Sequence, residues 1–426
     1  MRSKLCFLFV SVGITAISAP EQVTFTKDVA PILQERCQVC HRPDTFAPMS
    51  LLTYEEVRPW AKSIKQKVVA REMPPWYVDK NVGVRHFKND VSLTDQEIAT
   101  IAKWVDTGAP KGDPKDLPPA RKFDDTDQWH MGAPDLIVQL PKDRIIPAKG
   151  ADQWIDVLVD SGLTEDRYIQ GIEVKPTKGF KVVHHVTTSM KNEDDADDGG
   201  DNVQGIFLNE YALGKNADVF PDGAGRLIKA GTKINFNLHL HSVGQETAAN
   251  VALGLKLYPK GYVPRYAETT EKVGDPKDLD IPANADNVRF DAYNTLAKPA
   301  RLLSFQPHMH NRGKASCMEA IYPGGHKVEM LSCVSRYQFA WHLVYLYDED
   351  EQPLLPAGTV LHMISWYNNS PENKFNPDPD NTITYGQRTV DEMGGAWISY
   401  YNLTEEEYKQ QVAARKAKLA LTAGSE

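Results

Sequence analysis

Two textures divide the chain. Over residues 20–115 apolar positions recur at helical spacing. Val29, Ile32 and Leu33 precede Cys37, and a second helix is expected over Tyr54 to Glu72. A third starts at Thr94, where Thr94 and Glu97 form a capping box. Its apolar stripe is Ile98, Ile101 and Val105, and Gly108 is its stop. From about residue 135 the period drops to two. Trp154 to Val159, Lys181 to Thr187, Lys233 to His241 and Val251 to Leu257 read as strands separated by turn signals. The stretch APKGDPKDLPPARKFDD, rich in proline and charge, favours an extended solvated chain between the two textures. A polar run over Ala267 to Lys277 predicts a second boundary. Residues 280–403 alternate again, and the tail from Thr404 reads as a charged peripheral helix.

The expected organisation is therefore multidomain α plus all-β. An export segment covers 1–19, a helical domain 20–115, a linker 116–134, two β domains 135–270 and 271–403, and a helical tail 404–426. The first segment has Arg2 and Lys4 before the apolar Leu5 to Ile17, then the small residues Ala16, Ser18 and Ala19 near a cleavage point. It is short for a membrane span, and no later segment approaches 18 apolar residues, so a mature protein outside the cytoplasm is expected, periplasmic or secreted from a bacterium. Lys and Arg number 48 against 57 Asp and Glu, a net charge of −9 with no basic run, which argues against nucleic acid as a partner. Glu193 to Asp201 packs six acids into nine residues and reads as a solvated loop.

Five cysteines in 426 residues are too few for a disulfide scaffold, so their placement carries the information. Cys37-Gln38-Val39-Cys40-His41 is a C-x-x-C-H sequence, the attachment signature of c-type haem. Two thiols add to the porphyrin vinyl groups and the adjacent histidine ligates iron. A zinc site would need further ligands at suitable spacing, and no second CxxC exists. Met73, in Arg71-Glu72-Met73-Pro74-Pro75-Trp76, is the expected sixth ligand, presented by a rigid proline turn, with His86 as runner-up. This part resembles the small class I cytochrome c domains of bacterial exported proteins, through CQVCH, the MPPW turn and the capped last helix.

Six of the remaining histidines form pairs: His184-His185, His239-Leu240-His241 and His308-Met309-His310. On a strand, H-x-H puts both imidazoles on one face about 6–7 Å apart, the start of a metal site. Adjacent histidines point to opposite faces, so His184 and His185 share a metal only if the strand is bent or they use different ring nitrogens. Imidazole-rich sites suit copper, zinc or iron.

The order HHVTT, FNLHLH, QPHMHNRGK and TVDEMGGAWISYY resembles the copper type II ascorbate-dependent monooxygenases, the family of peptidylglycine α-hydroxylating and dopamine β-monooxygenases, over residues 135–403. The resemblance implies two antiparallel, jelly-roll-like β-sandwich domains, each holding one copper. It assigns the electron-relay copper to His184, His185 and His239, leaving His241 as a supporting or surface residue. It assigns the oxygen-activating copper to His308, His310 and Met393 of Asp391-Glu392-Met393. Met363, in LHMISWYNNS, is the alternative thioether, more simply core; the resemblance favours Met393.

The sequence departs from the family at the substrate end. The basic residue that anchors a peptide carboxylate two positions before the second H-x-H is Gln306 here, and the family's Asn and Tyr after the ligand methionine are Gly395 and Trp397. A peptide C-terminus is not the expected substrate. The family's cysteine after D-E-M is Gly394. With Cys6 in the export segment and Cys37 and Cys40 on haem, Cys317 and Cys333 remain. They lie on segments joined by the turn at Pro323-Gly324-Gly325, and a Cys317–Cys333 disulfide is expected.

The expected function is an exported copper monooxygenase carrying its own haem c. It would hydroxylate a C–H bond of a small molecule with O2, drawing electrons from an external one-electron reductant. The linker would hold the haem at high effective concentration near the relay copper. The rival expectation is a non-catalytic haem and copper electron-transfer or copper-binding protein.

Overall fold

A computed structural model describes residues 22–423 apart from 44, 46, 124–128, 193–205, 213, 214, 216, 275, 276 and 387. The export segment and the acidic run lie outside the described residues. The chain divides into two compact units. One comprises residues up to Ala70 together with Leu93–Arg121, the other Arg71–Ser92 together with the chain from Lys122.

The smaller unit is built from short helices: Ala30–Arg36, Tyr54–Val57, Ala61–Val69 and Asp95–Asp106. The expected second helix is interrupted, because Pro59 cannot donate a helical hydrogen bond and the chain tightens into a 3-10 turn over Arg58–Trp60, and it ends at Val69, shortly before Arg71 turns to φ 53°. The last helix begins as expected. Thr94 accepts from the Glu97 N–H while Glu97 accepts from that of Thr94, and Gly108 sits at φ 94° just past its end. Fully buried Trp104 anchors this helix among Phe25, Leu33 and Ile101 and donates from Nε1 to the Pro110 carbonyl at 3.0 Å.

Residues 71–92, expected within the helical domain, belong instead to the larger unit. Trp76, Val78, Val84 and Phe87 are buried in a β core, and the Asp79 and Val84 N–H groups donate to the carbonyls of Cys333 and Leu331. Apolar burial on those strands outweighs sequence proximity to the helices.

The larger unit is β-rich and almost entirely antiparallel. Two four-stranded sheets each face a part of one eleven-stranded sheet. The first runs in the order Gln153–Asp160, Lys233–Leu240, Val183–Lys191, Ile206–Tyr211. Its inward Val186, Phe236 and Leu238 meet Ile172, Val174 and Leu253 of the large sheet in one dry core. The second four-stranded sheet, Val288–Thr295, Val360–Tyr367, Gly313–Ile321 and Val328–Val334, packs Met318, Leu361 and Met363 against Leu302, Phe305 and Ile398 in another. The edge strand Gln153–Asp160 alternates half-buried and exposed positions, as its period-two sequence predicts.

The boundary expected over Ala267 to Lys277 is a strand. Tyr266–Val273 pairs antiparallel with Ala396–Asn402 and parallel with Ala224–Ile228, so the large sheet runs continuously through the junction. Its polar residues are satisfied internally. Glu268, 4% exposed, binds Arg226, whose Nη1 also donates to the Phe207 and Leu208 carbonyls at 2.9 and 3.2 Å. The linker is also shorter than expected, since the Pro119 carbonyl bonds Gln34 within the helical unit while Trp129 lies under Lys175 within the β unit. Cys317 and Cys333 are directly opposed on paired strands and form the expected disulfide. The tail helix Glu405–Ala423 is capped by Thr404, with Tyr408 and Val412 against the first core. No helix among the described residues is long and apolar enough to cross a membrane.

Candidate metal centres

The first histidine cluster depends on an irregularity in strand pairing. Val183 pairs with Leu240 and His185 with His239, so His184 is the extra residue of a β-bulge. The bulge turns His184 to the face of its neighbour, which a regular strand forbids. The Nδ1 atoms of His184 and His185 come within 3.1 Å, and those of His185 and His239 within 3.4 Å. Tetrahedral ligands at 2.0–2.1 Å from one metal lie about 3.3 Å apart, so this donor set fits a single ion. Among the described residues these three side chains form a compact group of potential ligand atoms, all within 4.8 Å.

Second-tier contacts hold the rings. Asp152 Oδ2 lies 2.9 Å from His239 Nε2, which turns Nδ1 toward the other two rings. Trp154, opposite His239 on the paired strand, stacks on it at 4.1 Å between ring centres. Loss of solvent, then repulsion from neighbouring imidazoles, pushes His184 down to about 4 and His185 well below its usual value; loss of solvent also lowers His239. The neutral ring is the form that binds a metal. His241 stands aside from this trio, its ring centre 5.9 Å from that of His184.

The second cluster forms where the strand Ala300–Pro307 ends against the segment before Ala396–Asn402. His308 donates its N–H to the Gly395 carbonyl at 3.0 Å, and the His308 and His310 rings stand nearly perpendicular with centres 5.4 Å apart. His310 Nδ1 donates to the Asp391 carbonyl at 3.2 Å, leaving Nε2 for a metal. Glu392, fully buried, accepts backbone N–H groups from His310, from Arg312 at 2.9 Å and from Met393 at 3.0 Å. The chain thus brings His308, His310 and the Met393 segment together. Gly395 permits the close approach, for it has φ 97° and a Cβ there would collide with the Val273 and Gly274 carbonyls. Loss of solvent pushes His310 down to about 4 and His308 well below the ordinary range. Met363 lies in the apolar core, opposite Met318 on the paired strand.

Two residues missed in the sequence lie between the clusters. His342 has its ring centre 6.2 Å from that of His185 and 5.4 Å from that of His308. Phe339 lies 6.5 Å from the His184 ring and 6.0 Å from the His310 ring. Neither belongs to a histidine pair. The only signal was an imidazole inside the apolar run Phe339 to Leu346. A cavity of about 820 Å³ opens on the first cluster, lined by Trp154, His184, His239, His241, Phe339 and Arg388 among others. A smaller one of about 450 Å³, lined by Arg265, Arg301, Glu349 and Glu407 among others, holds no histidine. Gln306 is buried, and its amide donates to Glu210, so it is committed within the fold.

In the smaller unit Cys37 and Cys40 follow the helix Ala30–Arg36 as free thiols. Burial pushes both thiols up, to about 12 and 11. His41 Nδ1 donates to the Met49 carbonyl at 3.2 Å, which fixes the tautomer with Nε2 free, the arrangement that suits an iron ligand. Met73 is on the segment that belongs to the larger unit, and His86, also there, is paired with Glu351.

No family model matches the chain, and no curated protein matches it. Among solved structures, the major capsid protein P2 of bacteriophage PM2 aligns at 7% identity and a TM-score of 0.29, over 62% of this chain and 96% of that one. The cowpea mosaic virus top component aligns at 9% and 0.31, over 60% and 93%. Allantoicase aligns at 12% and 0.16, over 52% and 78%. Likenesses this weak carry no argument about fold or function.

Proposed function

We propose that this chain is an exported copper monooxygenase with a covalently attached haem c, acting with O2 on a C–H bond of a small molecule and fed by an external one-electron reductant. The observation that carries the reading is the convergence of the His184, His185 and His239 Nδ1 atoms at 3.1 and 3.4 Å. In this reading the smaller unit is a class I cytochrome c domain and the two sheet-on-sheet halves are the family's copper-binding sandwiches. His184, His185 and His239 would hold one copper, and His308, His310 and Met393 the other. Copper bound there supplies one-electron redox chemistry and the reduction of O2. Asp152 orients His239, Glu392 holds the backbone of His310 and Met393 in register, and Trp154 and Phe339 line the cavity beside the rings. A soft thioether beside imidazoles favours Cu(I), the state that meets oxygen.

The bound Gln306 favours a substrate without a carboxylate anchor, and it is also the observation behind the rival, non-catalytic reading. One experiment separates them. The haem-loaded protein is reduced anaerobically, with and without copper, and then mixed with O2. Copper-dependent acceleration of haem reoxidation supports the electron route, and an unchanged rate overturns it. Oxygen consumption coupled to a hydroxylated product distinguishes the enzyme from a carrier.

A further inference from the structure

The cavity of about 820 Å³ beside the first histidine cluster has walls from two distant parts of the chain. Trp154 comes from the edge strand Gln153–Asp160, whereas Phe339 and Val390 belong to the second half of the β unit. The volume falls within the roughly 300–1,000 Å³ of small-molecule sites, which favour such junctions. The apolar wall is left open. Trp154 is 52% exposed and Val390 46% exposed. A large apolar wall open to water in a concave site gains free energy from any apolar body that covers it. The indole is held flat for this purpose, stacked on the His239 ring with planes 14° apart.

The polar part of the wall says what kind of body fits. Arg388 is forked onto Asp391, from Nε at 2.9 Å and from Nη2 at 2.6 Å. Asp152 holds His239 Nε2 at 2.9 Å. These charged groups are committed within the protein, which disfavours a charged ligand. The His241 ring and the Thr389 hydroxyl also line the cavity and suit a hydroxyl group. Phe339 stands between the His184 ring, at 6.5 Å, and the His310 ring, at 6.0 Å, so a molecule beside it lies next to both clusters.

We infer that this cavity binds a neutral, planar aromatic small molecule, its ring against Trp154 and Phe339 and its hydroxyl toward His241 and Thr389. Aromatic packing is the basis of selection, because offset and edge-on ring contacts add to what burial alone provides. The binding needs no metal. Only the part the ligand plays, as the molecule to be hydroxylated or as an aromatic electron donor, rests on the proposed function.

The test uses the full haem-loaded chain without copper and measures binding by titration calorimetry. The probes are hydroquinone, benzyl alcohol and the non-aromatic cyclohexylmethanol. The two aromatic probes should bind one to one and compete with each other, with cyclohexylmethanol about 10-fold weaker. Trp154→Leu and Phe339→Leu should each weaken the aromatic probes about 10-fold. Tyr293→Leu, which removes an exposed aromatic ring from another sheet, should change nothing. Circular dichroism must match the parent. If a wall variant does not fold, Val390→Glu, at an exposed position, carries the comparison by placing a charge in the cavity. Absence of competition, equal binding of cyclohexylmethanol, or unchanged affinity in folded wall variants overturns the inference. With copper and O2 added, a hydroxylated product from benzyl alcohol marks a substrate and oxidation of hydroquinone marks an electron donor; either supports the site. Aromatic binding that survives where copper fails to accelerate haem reoxidation supports the cavity and overturns the proposed function alone.

Discussion

The Glu392 carboxylate accepts the backbone N–H of His310, so the side chain between Asp391 and Met393 fixes the position of a histidine eighty-two residues earlier in the chain. The same carboxylate takes the Arg312 and Met393 N–H groups, and burial pushes it up to about 7. Glutamine has the same shape but one acceptor oxygen. Glu392→Gln is expected to lose roughly 1–3 kcal/mol of stability in urea denaturation. It should also weaken copper binding at the second site while leaving the first unchanged. Equal losses at both sites would show that Glu392 supports the fold alone.

Asp152 does for the first site what backbone carbonyls do elsewhere, holding His239 by Nε2. Asp152→Asn is expected to weaken first-site copper about 10–100-fold in a competition titration. Second-site affinity should stay unchanged.

The two methionines should separate cleanly. Met363→Leu conserves volume in a dry core and is expected to cost under about 1.5 kcal/mol with both coppers retained. Met393→Ile is expected to remove oxygen chemistry while the haem spectrum persists. Loss of copper chemistry in the Met363 variant would reverse the assignment.

Glu268 and Arg226 hold the large sheet together where its two halves meet. Burial raises the Glu268 carboxyl above its usual value, so the folded protein binds a proton that the unfolded chain has released. Stability should therefore fall as pH rises from about 4.5, the unfolded value, through the raised folded value. Subtracting urea curves of Glu268→Gln from those of the parent across pH 4–7 should isolate this slope, and identical slopes would disprove it. Removing Arg226 alone should cost about 3–5 kcal/mol by leaving the carboxylate buried and unpaired.

The Cys317–Cys333 bridge closes a separation of 16 residues, and its loss is expected to cost about 3 kcal/mol. In the proposed haem-bound, processed form, with Cys37 and Cys40 in thioether bonds and Cys6 removed, the protein unfolded without reductant should show no titratable thiol. Two thiols would mean the bridge is absent.

Much was legible in the sequence because it is local. Alternation in the sequence marked the strands Gln153–Asp160 and Lys233–Leu240 to within a residue; burial follows it on the first, a half-buried strand, while the second is buried at nearly every position. The Thr94–Glu97 box marked a helix start, because its two hydrogen bonds span only three residues. C-x-x-C-H and the paired histidines named the candidate ligands outright. What stayed hidden depends on pairings between distant segments. Nothing local shows that His184 sits on a bulge, since a bulge exists only relative to its partner strand. Polar Tyr266–Val273 reads as a boundary because its partners, Arg226 above all, lie far away in sequence. Residues 71–92 join the β unit, where Trp76 and Phe87 are buried in the core of strands distant in sequence. His342 is one lone histidine in an apolar run, and only tertiary packing puts it between two clusters. The sequence by itself determined most of the candidate side chains for the chemistry; the tertiary structure alone decided which of them meet, because strand register and sheet packing set distances that no spacing along the chain encodes.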